Sequence, residues 1–346
     1  MAADAARPGR WALLLMVLAA FLFVPATPLV QAVVPLRDTS WMIVVTLAIC
    51  TVVGWGVGGR GWLAVMWVAL AVAVLSVTPV VRPAYASLER GWSVLLAGAF
   101  GLACETSPPT TRFFPRALTA LALSVAIAGL LAAATPGGLR ATTDAARTDA
   151  ESRPNAALVW MRESEQSPDW QQWRSVNAGS SLDDAVQTAD SVLTTLPHDA
   201  VPFFPALLAL ESLGALALCW GLYHRISRTR LGEQLAPLRD FTFSDHLVWG
   251  LIAGIVLFVL PVPDAWRGTG ANLLVFFGAL YAVRGLAVLA WYLEASRAGA
   301  PVIAALVVVA MVLSAPAVLG LGLLGLGDTW MDWRHRPGGA TPRPTT

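Results

Sequence analysis

Residues 272–296 read NLLVFFGALYAVRGLAVLAWYLEAS, a run whose only charges are Arg284 and, near its far edge, Glu294. A helix needs ~20 mostly apolar residues to cross a hydrocarbon core of about 30 Å. This stretch therefore reads as a transmembrane span, with Trp291 and Tyr292 at its interfacial end. Working outward, runs of the same kind recur at 11–34, 41–58, 62–81, 115–134, 201–224, 247–262 and 301–326. A further run, 84–104, is interrupted by Glu89 and Arg90. Trp11, Trp41, Trp62 and Trp249 stand at span starts, and Trp220 with Tyr223 at a span end, as an aromatic belt requires. The expected fold is all-α: a polytopic membrane helix bundle with about 8–9 transmembrane helices.

Composition agrees. Of 346 residues, 56% are hydrophobic and 13% charged, against roughly 25% charged in soluble domains. All 23 basic residues are arginine. Without lysine there can be no Schiff base, pyridoxal chemistry, Walker A loop or Ser-x-x-Lys nucleophile. Cys50, Cys104 and Cys219 lie in or beside apolar runs with no Cys-x-x-Cys spacing, and read as buried thiols. The four histidines never share a ligand spacing. No facing carboxylate pair or Ser–His pair falls inside the spans, so no enzyme activity, cofactor, metal or nucleic-acid partner is expected.

The chain divides into membrane helices over 1–134, an acidic extramembrane insert over 135–200, membrane helices over 201–336 and a disordered tail over 337–346. Residues 141–200 hold ten acids against four arginines, a net of −6 in a chain of net +1. Leu182, Ala185, Val186, Ala189, Val192, Leu193 and Leu196 recur at three- and four-residue steps behind an N-capping Ser181, predicting an amphipathic helix. Trp170 and Trp173 precede it and are expected to form a small local core.

Loop arginines set the expected orientation. A cytoplasmic N-terminus puts Arg60, Arg112, Arg116, Arg225, Arg228, Arg230 and Arg239 inside a cell (inner) membrane, and the acidic insert outside. Arg334, Arg336 and Arg343 would then also fall outside. A break at Ser314-Ala315-Pro316, followed by Gly320, Gly322, Gly325 and Gly327, would return them. The Gly54/Gly58 and Gly250/Gly254 pairs predict close helix approach.

An ionisable residue deep in a span is a functional candidate. Glu211 and Arg284 lie 10 and 12 residues past the starts of apolar runs that enter the membrane in the same direction. At 1.5 Å per residue their depths differ by only about 3 Å, so an intramembrane ion pair between them is expected.

Three stretches of the C-terminal half carry a resemblance. They are PLRDFTFSDHLVW (237–249), YAVRGLAV (281–288) and GLGDTWMDWR (325–334). Together they resemble the YybS-like family of multi-spanning bacterial membrane proteins, which carries a domain of unknown function. The family's terminal element, Gly-Leu-x-Asp-Thr-Trp-x-Asp-x-Arg, is matched by Asp328, Thr329, Trp330, Asp332 and Arg334. Where this chain has Arg284, the family usually has glutamine. The resemblance covers about 201–336, is loose over the first five spans, and leaves the acidic insert particular to this chain. It implies a multi-span bundle and supplies no activity. In arrangement it is similar to the substrate-binding membrane subunits of energy-coupling-factor vitamin transporters, an analogy of fold alone.

The expected role is that of a structural or assembly partner in a membrane complex. The lipid bilayer surrounds it and the 141–200 insert meets a membrane protein partner. The alternative is a solute-binding transporter-type subunit with Glu211 and Arg284 facing its small-molecule ligand.

Overall fold

The computed structural model describes residues 36–76, 83–177, 191, 201–261, 263–295 and 314–334. Regular structure among them is entirely helical. In order along the chain these are α1 (Leu36–Gly56), α2 (Gly61–Ser76), α3 (Pro83–Thr106), α4 (Phe113–Ala134), α5 (Gly138–Glu165), α6 (Pro168–Asn177), α7 (Phe204–Ile226), α8 (Val248–Val259), α9 (Asp264–Ala295) and α10 (Ser314–Met331). Short 3₁₀ turns cover Val201–Phe203, Leu238–Asp240 and Asp245–Leu247. In hydrocarbon every backbone N–H and C=O must be satisfied within its own segment, and that selects helices for apolar runs of this length.

Among the described residues four stretches are long and apolar enough to cross a membrane: Thr39–Gly56, Phe113–Ala134, Val201–Ile226 and Asp264–Leu293. Two shorter apolar helices, Gly61–Ser76 and Asp245–Val259, correspond to the runs 62–81 and 247–262. The run 84–104 is helical as part of α3, with Glu89 buried. The first run, 11–34, the 181–196 amphipathic helix apart from Ser191, the first part of 301–326 and the 337–346 tail lie outside the described residues.

Several helix boundaries follow from local chemistry. α1 stops where Gly58 takes φ +97°, and Gly59 N–H bonds back to the Gly54 carbonyl at 2.8 Å, a left-handed terminus that glycine adopts without penalty. α8 ends just before Pro261 and Pro263, residues that cannot continue it. α9 begins at Asp264, whose negative charge suits a helix N-terminus. α10 starts at Ser314, the first residue of the expected break, and holds Gly320, Gly322, Gly325 and Gly327 in one continuous helix; the chain just before Ser314 lies outside the described residues. Gly325 and Gly327 serve packing there: a Cβ on the first would meet the Tyr281 carbonyl and one on the second the Trp333 ring. Another finding is α5, a 28-residue helix over the first half of the acidic segment.

The chain forms two compact units, each drawing on separate stretches. The first comprises Met1–Ile49, Trp62–Gly98 and Leu123–Val201. Val45, Ala48, Ala71 and Ala97 form a buried cluster in it, with Trp67 and Leu75 against them. Trp170 and Trp173 stack on α6 with ring centroids 4.9 Å apart.

The second unit comprises Cys50–Gly61, Ala99–Ala122 and Pro202–Thr346. In it α9 lies against both α8 and α10. A Cβ on Gly254 would stand 3.1 Å from the Leu274 backbone nitrogen, and one on Gly250 would strike the Phe277 ring. The Gly250/Gly254 stripe is thus the seat of α9 on α8. Of the other pair, only Gly54 is a packing glycine, lying under the Tyr223 hydroxyl. Asn272 ties α9 to the start of α7: it donates to the Pro202 carbonyl at 2.9 Å and accepts from Ala206 N–H at 3.0 Å.

Candidate functional site

The second unit places Arg284 by bringing α9 and α10 almost into backbone contact. A Cβ on Gly285 would collide with the Leu321 carbonyl, and one on Gly325 with the Tyr281 carbonyl. Such an approach is open only to glycine. It carries the end of α10 alongside Arg284, which is 6% exposed.

The guanidinium there is held by two aspartates. Its Nε donates to Asp328 Oδ2 at 3.0 Å and one terminal nitrogen donates to Asp245 Oδ1 at 3.1 Å. It also lies over the Phe243 ring, 5.2 Å from the centroid, a favourable cation–π placement. Asp328 is shared: Arg334 donates to the same Oδ2 at 2.6 Å. Arg334 donates in addition to the Arg239 and Phe241 carbonyls, at 3.0 and 3.1 Å.

Asp332 makes this return possible. It takes φ +40°, the one described non-glycine residue in the left-handed region, which aspartate tolerates better than most. The chain reverses there at the end of α10, and Arg334 folds back onto Asp328. Trp330 of the same motif is 68% exposed and takes no part. Asp328 and Arg334 are buried, whereas the Asp245 side chain is 65% exposed and closes the cluster toward solvent.

Two arginines and two aspartates balance in charge. Taking a lone arginine out of water costs several kcal/mol, and this geometry offsets the penalty by surrounding each guanidinium with acceptors. Asp328 Oδ1 and Arg334 Nε are buried without a hydrogen-bond partner.

Arg284 therefore has partners other than the expected one. The carboxylates it pairs with are Asp328 and Asp245, and Glu211, half-buried on α7, is not among them. The two apolar runs do not begin at the same level. Asn272 sets the actual register by standing level with Ala206. Arg284 lies 12 residues beyond Asn272 and Glu211 only 5 beyond Ala206, an offset of about 10 Å along the helices.

The three stretches that carry the family resemblance thus meet at one place. Stretch 237–249 supplies Asp245, Phe243 and the two carbonyls. Stretch 281–288 supplies Arg284, and 325–334 supplies Asp328 and Arg334. Asp245 and Phe243 were not singled out as site residues. Their signal was their place in the first of these stretches. Phe243 also stacks on Phe114 and meets Tyr281 edge-on.

All three cysteines are buried free thiols. Among the described residues no cluster of histidine, cysteine and acidic side chains is arranged to hold a metal ion.

Comparison with known proteins bears on the same half of the chain. Residues 160–329 match the model of a family described as predicted membrane protein (DUF2232). The match agrees with the YybS-like resemblance and with a domain of unknown function. It begins at residue 160, inside the acidic segment. It stops before Asp332 and Arg334. No curated protein and no solved structure matches the chain.

Proposed function

Taking as premise that the C-terminal half carries this membrane domain, we propose that the protein is a non-enzymatic structural or assembly component of a membrane complex. One observation carries the reading. The single arginine of the 272–296 run is engaged by Asp328 and Asp245, and Asp328 is engaged again by Arg334. A guanidinium so occupied locks α9, α10 and the 237–249 loop together and leaves little of itself for a ligand. In this reading the membrane is the bacterial inner membrane, the N-terminus is cytoplasmic and the acidic insert is external.

The insert is the surface offered to a partner. Asp144 and Glu163 on α5 and Asp169 on α6 are exposed, which suits a membrane protein with a basic extramembrane face. Purification from native membranes in mild detergent tests this. A stoichiometric membrane protein should co-purify with the natural chain and be lost from the Asp144→Asn/Glu163→Gln/Asp169→Asn variant. Recovery of the chain alone, whatever the detergent, would refute it.

The second reading is a solute-binding transporter-type subunit. The unpaired Asp328 Oδ1 and Arg334 Nε favour it, since a small polar molecule could supply the partners that a buried acceptor and donor lack. Saturable stabilisation of the purified protein by a polar solute, abolished in Asp328→Asn, would establish that reading over the first.

A further inference from the structure

The segment Ser227–Glu233, just past the end of α7, is pinned from beneath by side chains that are mostly buried. Tyr223 Oη donates to the Thr229 carbonyl at 2.9 Å, and Ser227 Oγ reaches the same carbonyl at 3.1 Å. Arg116 donates to the Leu231 carbonyl at 2.7 Å. His224 Nε2 lies 3.1 Å from the Gly232 carbonyl, and Trp220 Nε1 donates to the Glu233 carbonyl at 3.0 Å. Arg116, Trp220 and Tyr223 are among the most buried side chains of the protein. Gly232 gives Arg116 its room, for a Cβ there would stand 2.6 Å from the guanidinium. Four carbonyls of one short loop are thereby turned inward and held.

This fixed loop presents charge outward. Arg225, Arg228 and Arg230 are exposed. Arg60 is exposed too, in the turn after α1, where a Cβ on neighbouring Gly59 would lie 3.2 Å from Thr229 Oγ1. Among the described residues none of these four arginines has a carboxylate within ion-pair distance. The one acid of the loop is Glu233. The apolar stretch of α7 ends at Ile226, so Arg225, Arg228 and Arg230 stand within a few residues of the membrane boundary, at the depth of lipid headgroups.

We propose that the pinned 227–233 loop, with Arg60 beside it, is a binding site for the phosphate of anionic phospholipids in the surrounding bilayer. The planar guanidinium suits bidentate contact with phosphate oxygens. Holding the loop rigid before the lipid arrives removes the ordering cost of binding. A basic residue near an anionic membrane surface contributes about fivefold in affinity, so three of them make a preference that is easily measured.

The test uses the full chain purified in neutral detergent, with phosphatidylglycerol and phosphatidylcholine titrated separately and bound lipid counted by native mass spectrometry. Phosphatidylglycerol should bind at least about tenfold more tightly, with the advantage shrinking as salt is raised. The Arg225→Gln/Arg228→Gln/Arg230→Gln variant should lose most of that advantage at an unchanged melting temperature, because these side chains hold no part of the fold. The corresponding triple lysine variant should keep the greater part. Equal binding of the two lipids by the natural chain would overturn the proposal without any variant. So would a folded glutamine variant that retains the preference, or a lysine variant that loses it as fully as the glutamine one does.

Discussion

Replacing Asp328 by asparagine should be the most damaging isosteric change in the C-terminal unit. The side chain keeps its shape and an accepting oxygen but loses the charge shared by Arg284 and Arg334, both buried. Arg334 would retain the Arg239 and Phe241 carbonyls. Arg284 would keep the Phe243 ring but only one carboxylate partner, Asp245, whose side chain is 65% exposed and screened by water. Removing one partner of a buried ion pair costs about 3–5 kcal/mol, chiefly because the remaining charge is left uncompensated. Asp245→Asn removes a pair of nearly the same length, 3.1 against 3.0 Å. Because Asp245 is largely exposed, that change should cost no more than about 1 kcal/mol. Reversible unfolding in mixed micelles, followed by circular dichroism, measures both. Equal costs for the two variants, or a cost below about 1 kcal/mol for Asp328→Asn, would refute the view that burial of the shared carboxylate holds this end together.

Other expectations use the same unfolding assay. Gly285→Ala and Gly325→Ala should each cost at least about 1–3 kcal/mol, because the new methyl meets a backbone carbonyl that cannot move alone. Gly278→Ala, in the same helix with open space around it, should change stability by less than the others. Asn272→Ala should cost about 1–3 kcal/mol by leaving the Ala206 N–H and Pro202 carbonyl without their partner. Asp332→Val should destabilise by more than Asp332→Gly, since a β-branched residue resists positive φ and glycine does not. Exchanging the charges of Glu211 and Arg284 should fail to restore what Arg284→Glu alone loses; substantial recovery would reinstate the pairing that their apparent depths suggested.

The membrane helices were legible because lipid imposes one simple pattern, a long apolar run with aromatic edges, and α1, α4, α7 and α9 all show it. Arg284 was legible as a special position for the same reason, being a charge where the solvent is hydrocarbon. Its partners were not. They depend on the register between α7 and α9, which one side chain, Asn272, sets from the helix surface, and on α9 beginning eight residues before its apolar run. The return of Arg334 depends on a left-handed Asp332, a conformation that an aspartate permits but does not announce. Of the glycines of α10, Gly325 marks where two helix backbones touch, a contact that depends on the partner helix and so is not readable from the run itself. The terminal motif still pointed to the right place, for Asp328 and Arg334 lie at the centre of the cluster although Trp330 faces outward.

The most direct test is a double-mutant cycle between Arg284 and Asp328, with Arg284→Gln, Asp328→Asn and the double variant unfolded under identical conditions. If the two side chains form one buried charge network, the double variant will lose less than the sum of the single losses, by about 1–3 kcal/mol. Strictly additive losses would contradict it, since two groups that do not feel each other cannot hold α9 and α10 together.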